Sequence, residues 1–206
     1  MPRPKTEEKR KLILDTAKRL FALEGVGVSM NEMAEAIGIP VGSIYTYFDS
    51  KQVLVETIIE EGWNEYRLWL EEGIASIQLG SQNADKRLTA LKILSFFVNK
   101  ALPKLFSDVE LIMLLLAEAG TTARLEEKLQ YFSSMITKLV SECQVSGTAE
   151  NDPRQYNTGI TVLLLGALET LRLSSKTDLK LSADDIQAFF RLIVENALGQ
   201  GLPDTD

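Results

Sequence analysis

Hydrogen-bonding side chains crowd one short stretch of this sequence, SMNEMAEAIGIPVGSIYTYFDSK, from Ser29 to Lys51. Ser29, Asn31, Ser43, Tyr45, Thr46 and Tyr47 donate and accept as neutral groups and Lys51 donates as a cation. Groups that make and break bonds are scarce. With no histidine and a single cysteine, Cys143, the chain excludes Ser-His-Asp and Cys-His nucleophilic catalysis, a Cys/His zinc site and an intrachain disulfide. No GxxxxGK[ST] phosphate loop occurs. Glu118, between Ala117 and Ala119, and Glu169, beside Leu168, have apolar neighbours, as a raised-pKa acid would need, but two lone carboxylates without a nucleophile or metal ligand form no recognisable site. Neither an enzyme, a metal nor a cofactor is expected.

The elements that must carry the polar stretch are two short helices joined by a tight turn. Ser29 followed three residues later by Glu32 is a capping box, Met33, Ala34 and Ile37 give about one turn of apolar face, and Gly38 supplies a left-handed C-cap. Pro40 sets φ for a new first turn, after which Ile44 and Phe48 point inward. Such a helical hairpin occurs in many all-α proteins, yet the small Ala34 and the sharp Gly38 turn are what a DNA-binding helix-turn-helix requires. The outward face is then Val41, Gly42, Ser43, Tyr45, Thr46 and Tyr47, without a carboxylate before Asp49, so it can enter a major groove without repelling phosphate.

The net charge of −7 conceals an uneven distribution. Residues 1–51 hold eight basic and seven acidic side chains, and within the first 19 the balance is seven to three. Met1 to Lys5 carries Arg3 and Lys5 with two prolines and no apolar anchor, which fits either a plain disordered terminus or an arm touching phosphate or the minor groove.

From Thr6 to Leu54 the chain resembles the TetR family of bacterial transcriptional regulators, through ILDTAKRLFALEGVGVSM, MAEAIGI and GSIYTYFDSKQVL. Leu20, Phe21, Gly25, Ser29, Ala34, Gly38, Tyr45, Tyr47, Phe48 and Lys51 occupy the family's signature positions. One departure is Pro40, where many members place a Ser or Thr cap. The resemblance implies a repressor that binds a near-palindromic operator as a homodimer and releases it when a small molecule enters the C-terminal half. It further implies that Ser29 and Asn31 touch backbone phosphates, that Gly42, Ser43, Tyr45 and Thr46 meet base edges or methyls, and that Tyr47 and Lys51 contact phosphate. Tyr45 has packing between helices as its alternative role.

The remaining sequence reads as helix throughout, with no sustained period-2 alternation. The expectation is an all-α protein: a three-helix DNA-binding unit in residues 1–50 and a six-helix effector-binding and dimerisation bundle in 51–206. A long helix from Asp49 or Ser50 to about Gln78 should start beside the reader and act as a lever. Helices at 86–102, ended by Pro103, at 106–119, at 124–146, from Pro153 and from Ser182 complete the bundle. Trp63, Tyr66, Phe97, Phe106, Met113 and Phe132 are either ordinary core or the lining of a pocket for an apolar or amphipathic effector, placed between the fourth and seventh helices. Gly159, Val162 and Gly166 share one face of the eighth helix, and Phe190, Val194 and Ala197 give the ninth a stripe. The pair either forms a dimer interface or packs within one chain. No apolar run approaches the ~20 residues that span a bilayer, and residues 1–20 are charged throughout, so a cytoplasmic protein is expected.

Overall fold

The computed structural model describes residues 6–81, 85–108, 111–113, 122–143, 153–174, 178 and 181–203. Among them every regular element is helical. The chain divides into two packing units, the first made of residues up to Glu65 with residues 111–113, the second of Tyr66 onward with the remaining described residues.

In the first unit, α1 (Glu7–Glu24) opens at Thr6, whose hydroxyl accepts from the Lys9 N–H, with Glu7 and Glu8 at the positive end of the helix dipole. Its inner stripe is Ile13, Leu14, Thr16, Ala17, Leu20 and Phe21, and Gly25 ends it at φ 81°. Helix α2 (Met30–Ile37) carries the expected capping box: Glu32 N–H donates to Ser29 Oγ at 3.2 Å, and Ser29 N–H donates to Glu32 Oε2 at 2.6 Å. It closes in a Schellman motif, Ile39 N–H to the Ala34 carbonyl and Gly38 N–H to the Glu35 carbonyl, both 3.0 Å, with Gly38 left-handed at φ 77°. Helix α3 spans only Val41–Tyr45, yet Thr46 and Phe48 N–H groups still bond four residues back, which brings Phe48 inward as the spacing required. Met33, Ala34, Ile44 and Phe48 meet Ile13, Phe21, Leu54, Val55 and Ile58 in one buried cluster.

Helix α4 (Lys51–Gly80) begins with Ser50 Oγ accepting from the Val53 N–H and runs unbroken for 30 residues, about 45 Å at 1.5 Å per residue. Leu54, Val55 and Ile58 in its first two turns belong to the core of α1–α3, which is why the packing unit extends to Glu65 whereas the sequence division falls at residue 50.

In the second unit, α5 (Lys86–Phe96) is capped by Asp85 and passes into a π-helical turn, Phe97–Ala101, and then α6 (Leu102–Phe106). Pro103 does not end the helix as the sequence suggested. Proline cannot donate to the ladder, so the register slips by one residue beforehand, with Leu102 N–H bonding the Phe97 carbonyl five residues back, and Pro103 then fits the first turn of α6. Helix α7 (Thr122–Cys143) packs on α5 and on α8 (Pro153–Ser174), and α9 (Ala183–Leu198) packs on α6 and the π turn. The helix expected at 106–119 lies mostly outside the described residues, although residues 111–113 are helical.

Candidate nucleic-acid interface

The two short helices hold most of the expected reading residues at the surface of the first unit. Ser29 and Asn31 are exposed at the N-terminal end of α2. The Ser29 hydroxyl is engaged within the cap, accepting from the Glu32 N–H and bonding the Glu32 carboxylate. Glu32 is held below the usual carboxylate range by its bonds to the Ser29 backbone N–H and hydroxyl, so the cap carries a full charge at neutral pH.

Pro40 gives α3 no side-chain cap; its carbonyl accepts from the Ser43 N–H at 2.8 Å, which sets the first turn without a hydroxyl. Gly42 is exposed and a Cβ there would meet nothing within 4 Å, so the surface has a notch at that point. Tyr45 is 48% exposed, which favours reading over packing between helices. Thr46 Oγ1 donates to the Gly42 carbonyl at 2.9 Å, leaving its lone pairs and methyl for a base edge. Ser43 is half-buried, and Val41 is partly drawn onto the core cluster.

Tyr47 and Lys51 have structural partners that the sequence did not reveal. The Tyr47 ring packs on the core and its hydroxyl oxygen accepts from the Thr6 N–H at 2.9 Å, tying the start of α1 to the end of α3. Lys51 Nζ donates to the Val26 carbonyl and lies 5.9 Å from the Phe21 ring centroid. Arg10, not singled out from the sequence, pairs with Glu61 at 2.5 Å and Glu7 at 3.3 Å and lies 5.8 Å over the Phe48 ring. Its guanidinium is raised above its ordinary pKa, chiefly by the Glu61 hydrogen bond. A pairing 51 residues apart leaves no local signal. Arg3 and Lys5 lie outside the described residues.

The expected effector residues divide between the two units. Tyr66, Phe97 and Phe132 are buried together, with Phe132 5.9 Å from each of the other two ring centroids, and the Tyr66 hydroxyl donates to the Ala101 carbonyl of the π turn at 2.8 Å. Burial raises the Tyr66 phenol well above its ordinary pKa. Phe106 is buried in the same unit, whereas Trp63 and Met113 belong to the first. A cavity of about 30 Å³, the space of a single water, is walled by apolar side chains including Leu94, Phe97, Val98, Ile136, Leu163 and Phe190. It lies among α5, the π turn, α7, α8 and α9, and of the six expected residues Phe97 lines it.

On α8, Gly159, Val162 and Gly166 are exposed as one face requires, with Val162 63% exposed. On α9 the stripe differs from the expected one. Phe190 and Val194 turn inward to the cavity, while Phe189 and Leu192 are 52% and 54% exposed and Ala197 is exposed. Both stripes are apolar, and packing on the π turn and α6 decides which face is used internally.

These elements define a helix-turn-helix protein. Residues 13–58 match the model of the bacterial regulatory proteins of the tetR family, so the chain carries the DNA-binding unit of that transcription-regulator family, as the signature residues implied. Similar folds over nearly the whole chain come from solved structures. The fatty acid degradation regulator FadR from Bacillus halodurans is 22% identical, with 95% of this chain and 97% of that chain covered at a TM-score of 0.59. The transcriptional regulator FadR from Bacillus subtilis, solved in complex with stearoyl-CoA, is 19% identical over 92% and 97% at 0.54. A protein described as a TetR/AcrR family member is 20% identical over 92% and 100%, also at 0.54. Among the described residues no helix is long and apolar enough to cross a membrane.

Proposed function

We propose that this chain is a cytoplasmic, non-enzymatic repressor that binds a near-palindromic operator as a homodimer and releases it when a small apolar or amphipathic molecule enters the C-terminal bundle. The observation that carries the DNA-binding part is the capped helix-turn-helix, whose exposed Ser29, Asn31, Gly42, Tyr45 and Thr46 form a small, hydroxylated and aromatic surface. Residues 1–50 read DNA, Arg3 and Lys5 among them, and residues 51–206 receive the effector and a second copy. The dimer face is Gly159, Val162 and Gly166 of α8 with Phe189, Leu192 and Ala197 of α9, which are exposed apolar or small positions on successive helices.

The effector's apolar character is supported by the wholly apolar cavity wall, and the buried Tyr66, Phe97 and Phe132 cluster extends that environment towards α4. This space of about 30 Å³ is far below the 300–1,000 Å³ of ordinary ligand sites, so an effector seated there would select an expanded form of the bundle. Stearoyl-CoA, bound in the Bacillus subtilis structure, makes acyl-CoA thioesters the first compounds to try. The test is enrichment of duplexes from a random library by the purified chain, footprinting of the winner, and release by acyl-CoA thioesters. A footprint with twofold symmetry is expected; failure to enrich any duplex would overturn the reading.

A further inference from the structure

The connection from α1 to α2 passes through Gly25, Val26, Gly27 and Val28, a segment whose two glycines give it large backbone freedom to lose on folding. Gly25 N–H bonds the Phe21 carbonyl at 3.0 Å and Val28 N–H reaches the Gly25 carbonyl at 3.5 Å. Between them, the Val26 carbonyl takes a donor from 25 residues away, the ammonium of Lys51. The same ammonium lies 5.9 Å from the centroid of Phe21, a fully buried ring in the last turn of α1. One cation is thus held by the end of α1 and the loop that leads into α2, and it issues from the first residue of α4. A charge-assisted bond to a carbonyl, reinforced by an aromatic face, is strong enough to hold such a loop.

We propose that Lys51 is a positioning residue for the DNA reader: by holding the Val26 carbonyl against the first turn of α4, it fixes where α2 begins and how Ser29 and Asn31 are presented. The proposal rests on the DNA-binding reading and deepens it, moving Lys51 from phosphate contact to clamp. It also gives α4 a direct hold on the reader at its first residue, with Glu61 on Arg10 as a second hold about 15 Å along the same helix.

The two roles differ in salt dependence. Each phosphate neutralised adds about 0.9 to the slope of log affinity against log salt, whereas a clamp adds nothing. Lys51→Met keeps the aliphatic stem and removes the ammonium. With the duplex enriched by the wild-type chain as probe, we expect affinity to fall about ten- to a hundredfold, the scale of one lost charged hydrogen bond, at an unchanged salt slope. In the absence of DNA, amide exchange at Val28 and Ser29 should accelerate at least about tenfold, as for a locally opened segment. A slope smaller by about 0.9 per subunit, or unchanged exchange in the loop, would overturn the proposal. Should Lys51→Met not fold, Lys51→Gln, which removes the charge, carries the salt-slope comparison. A wild-type chain that enriches no duplex would sink the regulator reading, whereas the exchange measurement decides separately whether Lys51 holds the loop.

Discussion

Val162→Glu separates the association of two chains from the folding of one. Val162 is 63% exposed on α8, beside Gly159 and Gly166 and near the exposed Leu165, so a carboxylate there meets water in the isolated chain and should change its stability by less than about 0.5 kcal/mol. In the proposed twofold dimer every interface residue counts twice. Burying what remains exposed of a valine contributes roughly 1 kcal/mol per protomer, so the two lost valines cost about 2 kcal/mol. Two carboxylates brought into an apolar contact cost at least about as much again. A weakening of about 4 kcal/mol is close to a thousandfold in dissociation constant. Sedimentation velocity at low micromolar concentration should show a monomer with wild-type helical circular dichroism and melting. By contrast Val194→Glu, at a position 9% exposed in the cavity wall, puts an unpaired charge among apolar side chains and should lower the melting temperature of the chain itself. A Val162→Glu chain that still sediments as the wild-type dimer would refute the α8 face as the interface, and a Val162→Glu chain that is unfolded would refute the assignment of Val162 to the surface.

Four further perturbations probe the reader, the bundle and its pH response. Thr46→Ala should alter the preferred bases in a duplex selection, while Tyr47→Phe, which removes the hydroxyl that receives the Thr6 N–H, should weaken all duplexes alike; an unchanged preference for Thr46→Ala would assign Thr46 to the backbone. Gly73→Ala would press its methyl into the ring of Phe96, which lies 5.4 Å from Trp69, so a loss of about 1–3 kcal/mol in urea denaturation and a changed tryptophan emission are expected. Burial pushes the Cys143 thiol up from 9.0 to about 11, so the folded chain holds that proton more tightly than the unfolded one. This contribution is complete below about pH 9 and is lost as pH rises towards 11; the stability of the wild-type chain relative to Cys143→Ala should therefore fall between urea titrations at pH 8 and pH 10.5, and a constant difference would count against it.

The sequence by itself determined what is local. Caps, turns and periodicity depend on residues within about five positions of one another, so the Ser29–Glu32 box, the left-handed Gly38, a cap at Asp49 or Ser50 and the all-helical class were legible, as was the family carried by those signatures. Tertiary structure decided what depends on distant partners. Lys51 and Tyr47 read as simple phosphate donors until Val26 and Thr6 came within bonding distance, and Arg10 acquired a role only when α4 brought Glu61 beside α1. The same holds for faces: α9 has apolar residues on adjacent stripes, and only its packing on α6 and the π turn sends Phe190 and Val194 inward and Phe189 and Leu192 out. Even Pro103, a local stop signal, was reinterpreted by the helix around it, because a one-residue slip in the hydrogen-bond ladder upstream lets a proline stand where a first turn begins.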